Sequence, residues 1–126
     1  MAAGISTYLA NSWLNSVRNV SFSTANVYVQ LHIGNPASAG TSNPATETTR
    51  KLATFGAAAS GVITSNADVT WTNIAGSQTV TFFSAWDAST SGNFLFSGTV
   101  TANPYTAGDT FTIASGSLTV NLTLAS

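Results

Sequence analysis

The chain has no cysteine among its 126 residues. Disulfides and thiolate metal sites are therefore excluded, and the core has to hold by packing alone. Histidine is almost as scarce: His32 stands alone, so no site that needs two imidazoles can form within one copy. Charge is the next shortage. Three basic and four acidic side chains amount to 6% of the residues, against about 25% in ordinary soluble domains. Three cations cannot neutralise much of a phosphate backbone, so nucleic acid is not an expected partner. No apolar run approaches the roughly 18 residues of a membrane span, so no membrane is expected either. Met1–Asn11 has no basic residue and no secretory-type apolar run, so no signal peptide is expected.

What remains is 44% hydrophobic and 10% aromatic, with a net charge of −1. That is too apolar for a disordered tail. The length argues for a single domain over residues 1–126, able to bury a core unaided. The surface must be covered largely by Ser, Thr, Asn and Ala. So little charge gives weak repulsion between copies, which favours association of the chain with itself.

Residues 5–17 read as an amphipathic helix, with Ile5, Leu9, Trp13 and Val17 at every fourth position and Tyr8 beside them. From residue 26 to 125 the period changes to two. Val27, Val29, Leu31 and Ile33 alternate with Tyr28, Gln30 and His32. Leu118, Val120, Leu122 and Leu124 alternate with Thr119, Asn121 and Thr123, which predicts a last strand with all four apolar residues in the core. Between them lie shorter candidates at 51–55, 62–65, 69–72, 79–86, 94–101 and 110–114. Turn signals separate them, among them Ser89–Gly92, Asn103-Pro104 and Gly108-Asp109. The expected fold is mainly β: an antiparallel sandwich or jelly-roll-like barrel of about eight strands with one N-terminal helix.

Gly34–Thr48 stands apart, with two prolines, two glycines and no large apolar side chain. A loop so long is usually functional or flexible. The expectation is a surface loop that is mobile in the isolated subunit and ordered against a neighbour. Gly34, Asn35, Pro36, Gly40, Asn43 and Pro44 are its candidate subunit-contact residues.

The search for chemistry assigns no catalytic residue, no cofactor and no metal. His32 lies on the face opposite Val27, Val29 and Leu31, and reads as a hydrogen-bonded strand residue whose loss should cost little. No serine sits in a Gly-x-Ser-x-Gly elbow. Glu47, Asp68, Asp87 and Asp109 fall in or beside turns, where carboxylates hydrogen-bond local backbone. No phosphate loop or EF-hand spacing occurs. Phe82-Phe83 and Phe94-Leu95-Phe96 put bulk on both faces, which implies strands covered on both sides. Tyr28, Trp71 and Trp86 are candidate aromatic contact residues, for a subunit or for a sugar ring.

Tyr28-Val29-Gln30-Leu31-His32-Ile33-Gly34-Asn35-Pro36 resembles the Tyr-Val-x-Leu-His-x-(Gly/Ala)-Asp-Pro segment of a family of small phage virion proteins. The helix Leu9–Asn15 fits the same pattern. So do Trp86-Asp87-Ala88, Gly92–Gly98 and Ala107–Ile113, in order along the chain. Asn35 stands where the family usually has Asp, which removes an acid from that turn. Members are labelled tail fibre, minor tail or head decoration protein. The resemblance implies a non-catalytic virion protein on the particle exterior, made in the host bacterial cytoplasm. Its first expected role is a capsid decoration or cement subunit, a homo-oligomer and by family habit a trimer, bound to the major capsid protein. The alternative is a tail fibre or minor tail protein that meets other tail proteins and contacts host glycan.

Overall fold

The computed structural model of the chain describes residues 4–122, 124 and 125. One helix, α1 (Thr7–Val17), precedes eight strands: β1 (Val27–His32), β2 (Lys51–Ala53), β3 (Val62–Thr64), β4 (Val69–Trp71), β5 (Gln78–Trp86), β6 (Phe94–Tyr105), β7 (Phe111–Ile113) and β8 (Thr119–Asn121). All pairings are antiparallel. A four-stranded sheet runs in the order β2-β1-β5-β6, and two ribbons, β3-β8 and β4-β7, complete the β structure. This is the mainly β, sandwich-like fold that the alternation predicts.

The helix begins two residues later than its apolar period suggests. Ser6 caps it, its hydroxyl accepting from Leu9 N–H at 3.1 Å, which satisfies one of the free donors of the first turn. Ile5 instead bridges to Phe96, and Ser6 N–H donates to the Leu95 carbonyl at 2.8 Å. The chain therefore enters the helix as a short strand on the edge of β6. Only Leu9 is buried along α1, while Val17 is 86% exposed and Leu14 68%. The helix docks by its first turns and leaves its far end uncovered.

Val29 and Leu31 of β1 meet Phe83, Ala85, Leu95 and Phe96 in the core, joined by Val69, Trp71, Phe111, Ile113, Leu118 and Val120 from the ribbons. Edge-to-face stacking links Phe55, Phe96 and Phe83 at 6.2 and 5.9 Å, and Trp71, Phe111 and Tyr105 at 6.0 and 5.8 Å. That geometry sets positive ring edges on negative faces.

Two expectations need correction here. Asn103-Pro104 is not a turn: β6 continues through it to Tyr105, with a register shift opposite Val80 and Phe82. Among the described residues, no strand pairs with the outer side of β6 at this point, and an edge tolerates the missing proline N–H. The turn falls at Thr106–Asp109 instead, closed by Asp109 N–H to the Thr106 carbonyl at 3.0 Å. The last strand is also shorter than its alternation. Leu118 and Val120 are core, but Leu122 and Leu124 are 50% and 56% exposed; the β3–β8 pairing ends at Val62 opposite Asn121, so about half of each side chain faces solvent. Thr123 lies outside the described residues.

Candidate functional site

The polar centre of the molecule lies on the sheet face opposite the core, beneath residues 34–48. Even-numbered residues of β1 and, past the irregularity after Val80, Phe82, Ser84 and Trp86 of β5 share this face, and the register sets His32 opposite Phe82 and Gln30 opposite Ser84. His32 and Ser84 are both wholly buried, which corrects the expectation that losing His32 costs little, since a buried ring with both nitrogens bonded leaves a cavity and an unpaired partner. His32 Nε2 lies 2.7 Å from Ser84 Oγ, and Nδ1 lies 2.8 Å from the Ser42 carbonyl oxygen. A carbonyl only accepts, so Nδ1 carries the proton and Nε2 accepts from the serine hydroxyl. Ser84 Oγ in turn accepts from Trp86 Nε1 at 2.8 Å. The result is one directed chain: Trp86 N–H to Ser84, Ser84 O–H to His32, His32 N–H to the loop backbone.

A serine hydrogen-bonded to an imidazole is the first half of a nucleophile–base pair. Here the imidazole rests on a backbone carbonyl, where a triad would have a carboxylate. Both members are closed to solvent, and the Trp86 indole occupies the serine oxygen. Burial holds the His32 pKa below its ordinary 6.5; the backbone contacts at Ser42 and Asn43 oppose this, and the Arg50 charge adds to it. The ring is thus kept neutral, as the network requires. The arrangement joins β1, β5 and the loop, and it offers no opening for a substrate.

The 34–48 segment is the lid of this centre. Ile33 N–H donates to the Asn43 carbonyl at 3.0 Å, Ser42 N–H to Pro36 at 3.0 Å and Ala45 N–H to Leu31 at 3.1 Å. The Asn35 side chain accepts from Ala37 N–H at 2.8 Å, and Asn43 Nδ2 donates to the Asn35 carbonyl at 3.0 Å. Gly40 has φ +76 and lies against the Phe94 ring, where a Cβ would stand 2.5 Å from Cδ1. Both the backbone conformation and the close approach require glycine. The segment has no large apolar side chain, yet it reaches the interior: Ala45 is part of the core and Pro36 is fully buried. Small residues let the backbone reach the sheet, and its own hydrogen bonds offset the cost of ordering it.

The other candidate residues are dispersed. Trp71 is 1% exposed and Trp86 7%, so neither presents a stacking face. Trp71 Nε1 donates to the Thr49 carbonyl at 2.8 Å. Arg50 lies over the Trp86 ring at 4.1 Å and donates to the Ala88 and Ser91 carbonyls at 3.0 and 2.7 Å. Tyr28 is half-buried, between Leu52 and Trp86 in the register. Gly34 and Asn35 are half-buried, Asn43 and Pro44 exposed, and Pro36 and Gly40 buried.

All four carboxylates serve backbone N–H groups, as their turn positions suggest. Glu47 accepts from Ala75 and Thr49 at 2.9 and 3.2 Å, Asp68 from Ser115 at 2.8 Å, Asp87 from Asn93 at 2.7 Å and Asp109 from Thr106 at 3.0 Å. Among the described residues, no group of three His, Asp or Glu side chains is placed to hold a metal ion. Sequence reasoning missed Ser84. Its one signal was Ser84-Ala85-Trp86, which sets a hydroxyl and an indole on the same strand face.

The family model described as Gp80, Podophage GP4 fiber I protein gp80, matches residues 4–121. The chain belongs to this family. The match runs from the strand-like entry to α1 through the end of β8, so it spans the whole fold described above. No curated protein shows a significant match. Membership gives the protein a structural role in a phage virion.

Proposed function

We propose that the chain is a non-catalytic subunit of a phage fibre or related tail appendage, working by assembly with copies of itself and with neighbouring tail proteins. The observation that carries this reading is the fibre-family match over residues 4–121. It favours the tail alternative over the capsid cement role that the sequence first suggests. The site chemistry supports it too, since the one histidine, Ser84 and the four carboxylates are all engaged in holding turns and the loop. Glycan contact through tryptophan is not part of the reading, because both strand tryptophans are withdrawn into the fold. Of the aromatic contact residues, Tyr28 stays with the proposal. The exposed rim of the loop, Asn43 and Pro44, remains its candidate subunit contact.

Antibody-gold labelling of purified virions, paired with quantitative mass spectrometry, tests the address. Label on tail appendages at a tail-scale copy number is the expected result. Label distributed over the head at a capsid-scale copy number overturns the fibre reading and restores the cement role.

A further inference from the structure

β6 and β7 are consecutive, joined by the Thr106–Asp109 turn, and they touch where Tyr105 meets Phe111. Yet they do not pair. They diverge to leave an open groove of about 520 Å³ with Thr99, Val100 and Asn103 on one side and Phe111, Thr112 and Ile113 on the other. Among the described residues, no strand pairs with the outer edge of β6 beyond Ser97, nor with the outer edge of β7.

The direction of the open backbone groups follows from their neighbours. Ser97 N–H donates outward to Gly4, and the Leu95 carbonyl accepts outward from Ser6. In an antiparallel ladder outward and inward residues alternate, so the N–H and C=O of Thr99 also point outward, into the groove. The bulge and Pro104 blunt only the end of β6 nearest the turn. Across the molecule, the Trp71 indole of β4 bonds the Thr49 carbonyl just before β2. The succession β7-β4, β2-β1-β5-β6 therefore runs around the protein, and the β6–β7 groove interrupts it.

We propose that this groove takes an extended strand from a second copy of the chain, donated by residues 122–125, which follow β8. The inference rests on the self-assembly in the reading above and names the surface that performs it. No residue lining the groove is charged, and the sequence carries no charge after Asp109. Val100, Phe111 and Ile113 give the groove an apolar side, and Thr99 and Thr112 a hydroxyl side. The donor has the matching period of two: Leu122 and Leu124, each at least half exposed in their own subunit, alternate with Thr123. Past the Val62–Asn121 pair, one backbone bond, Leu122 N–H to Gly61 at 2.7 Å, and the packing of Leu124 against Gly61 hold the donor at home among the described residues. A strand added to a free edge gains affinity from its main-chain bonds and specificity from alternate side chains.

Sedimentation of the purified chain over a concentration series, with engineered cross-links, is the test. The wild type is expected to self-associate. A chain truncated after Asn121 is expected to be monomeric with an unchanged circular dichroism spectrum. Thr99→Pro removes an outward N–H and the groove-lining hydroxyl while sparing the inward bonds of β6, and is expected to weaken association at least about tenfold, the equivalent of one lost hydrogen bond. The chain has no cysteine of its own, so mixed Thr99→Cys and Leu124→Cys subunits are expected to form a disulfide between them on oxidation. Oligomers that survive both the truncation and Thr99→Pro unchanged overturn strand donation and leave self-assembly standing. A wild type that stays monomeric throughout also overturns it, while the fibre address is judged separately by labelling of virions.

Discussion

Replacing His32 with alanine is the most direct probe of the buried polar centre. The ring is wholly buried, and its two nitrogens join Ser84 to the Ser42 backbone. Its removal leaves the Ser84 hydroxyl without an acceptor, which costs about 1–3 kcal/mol for a buried group. It also leaves a cavity under the loop, comparable to a large-to-small core change of about 2 kcal/mol or more. The Ser42 carbonyl belongs to an exposed residue and can turn to water, so its loss adds little. A total of about 3–5 kcal/mol is a large share of the 5–15 kcal/mol that ordinarily separates folded from unfolded chains. Thermal unfolding followed by circular dichroism should show a fall in Tm of about 10–20 °C at this chain length. In urea the midpoint should drop with an unchanged slope. Ser84→Ala should be costly too. The double variant should cost less than the sum by at least about 0.5 kcal/mol, because both changes break the same bond. A His32→Ala loss below about 1 kcal/mol refutes the reasoning, since such small effects belong to surface sites.

Further outcomes follow from burial, backbone and charge. Leu118→Ala should cost about 2–5 kcal/mol in urea unfolding because its side chain is fully buried, and Leu122→Ala much less because half of it already faces solvent. Gly40→Ala should destabilise by about 1–3 kcal/mol from backbone conformation alone, with more from the Phe94 ring; a neutral result would mean the loop does not lie on that ring. Deleting residues 41–45 removes the Ser42, Asn43 and Ala45 contacts, and hydrogen exchange should then rise at Ile33, whose N–H donates to the Asn43 carbonyl. Burial holds His32 neutral in the folded chain, so the unfolded chain binds the extra proton as pH falls below about 6.5. Stability should therefore be full above that pH and decline as pH is lowered toward the depressed folded pKa. Tm measured against pH should lose this component in His32→Gln, and identical profiles for the two proteins count against a buried neutral ring.

Strand positions were legible because period two is a local property. Val27–His32 declares its two faces whether or not its partners are known, and the observed β1 has those bounds at both ends but for Ile33. What pattern alone does not carry is the partner. Val17 and Leu122 continue apolar periods, yet Val17 ends almost wholly in solvent and Leu122 is left half exposed. The loop failed for the opposite reason. Its small side chains read as lacking core, whereas smallness is what brings Gly40 onto Phe94 and Ala45 into the interior. A usable signal existed in Trp86 and Phe94, large residues on the outer face of their strands, which needed a cover, and residues 34–48 were the one unassigned stretch long enough to supply it. His32 and Ser84 lie 52 positions apart in sequence, and their meeting depends on the β1–β5 register, which neither strand states alone.

The folded loop changes where assembly must take place. Had residues 34–48 been free, they would have been the natural arm to lay across a neighbour, and folding would have waited on that neighbour. Instead the segment finds its hydrogen bonds within its own subunit, so the subunit completes its main polar network before it meets another copy. The surfaces left for association include those that folding did not cover: the open β6–β7 edges, the exposed turn of α1 at Leu14 and Val17, Leu122 with Leu124, and the loop rim at Asn43 and Pro44. Seven charged side chains share a surface of 6938 Å², so copies meet almost without repulsion, and attraction has to come from backbone edges and apolar contact, neither of which salt screens and the second of which some salts strengthen. Raising ionic strength should accordingly leave the sedimentation of oligomers unchanged or strengthen it, whereas oligomers that dissolve in moderate salt would require an ion-pair interface that this surface can hardly supply.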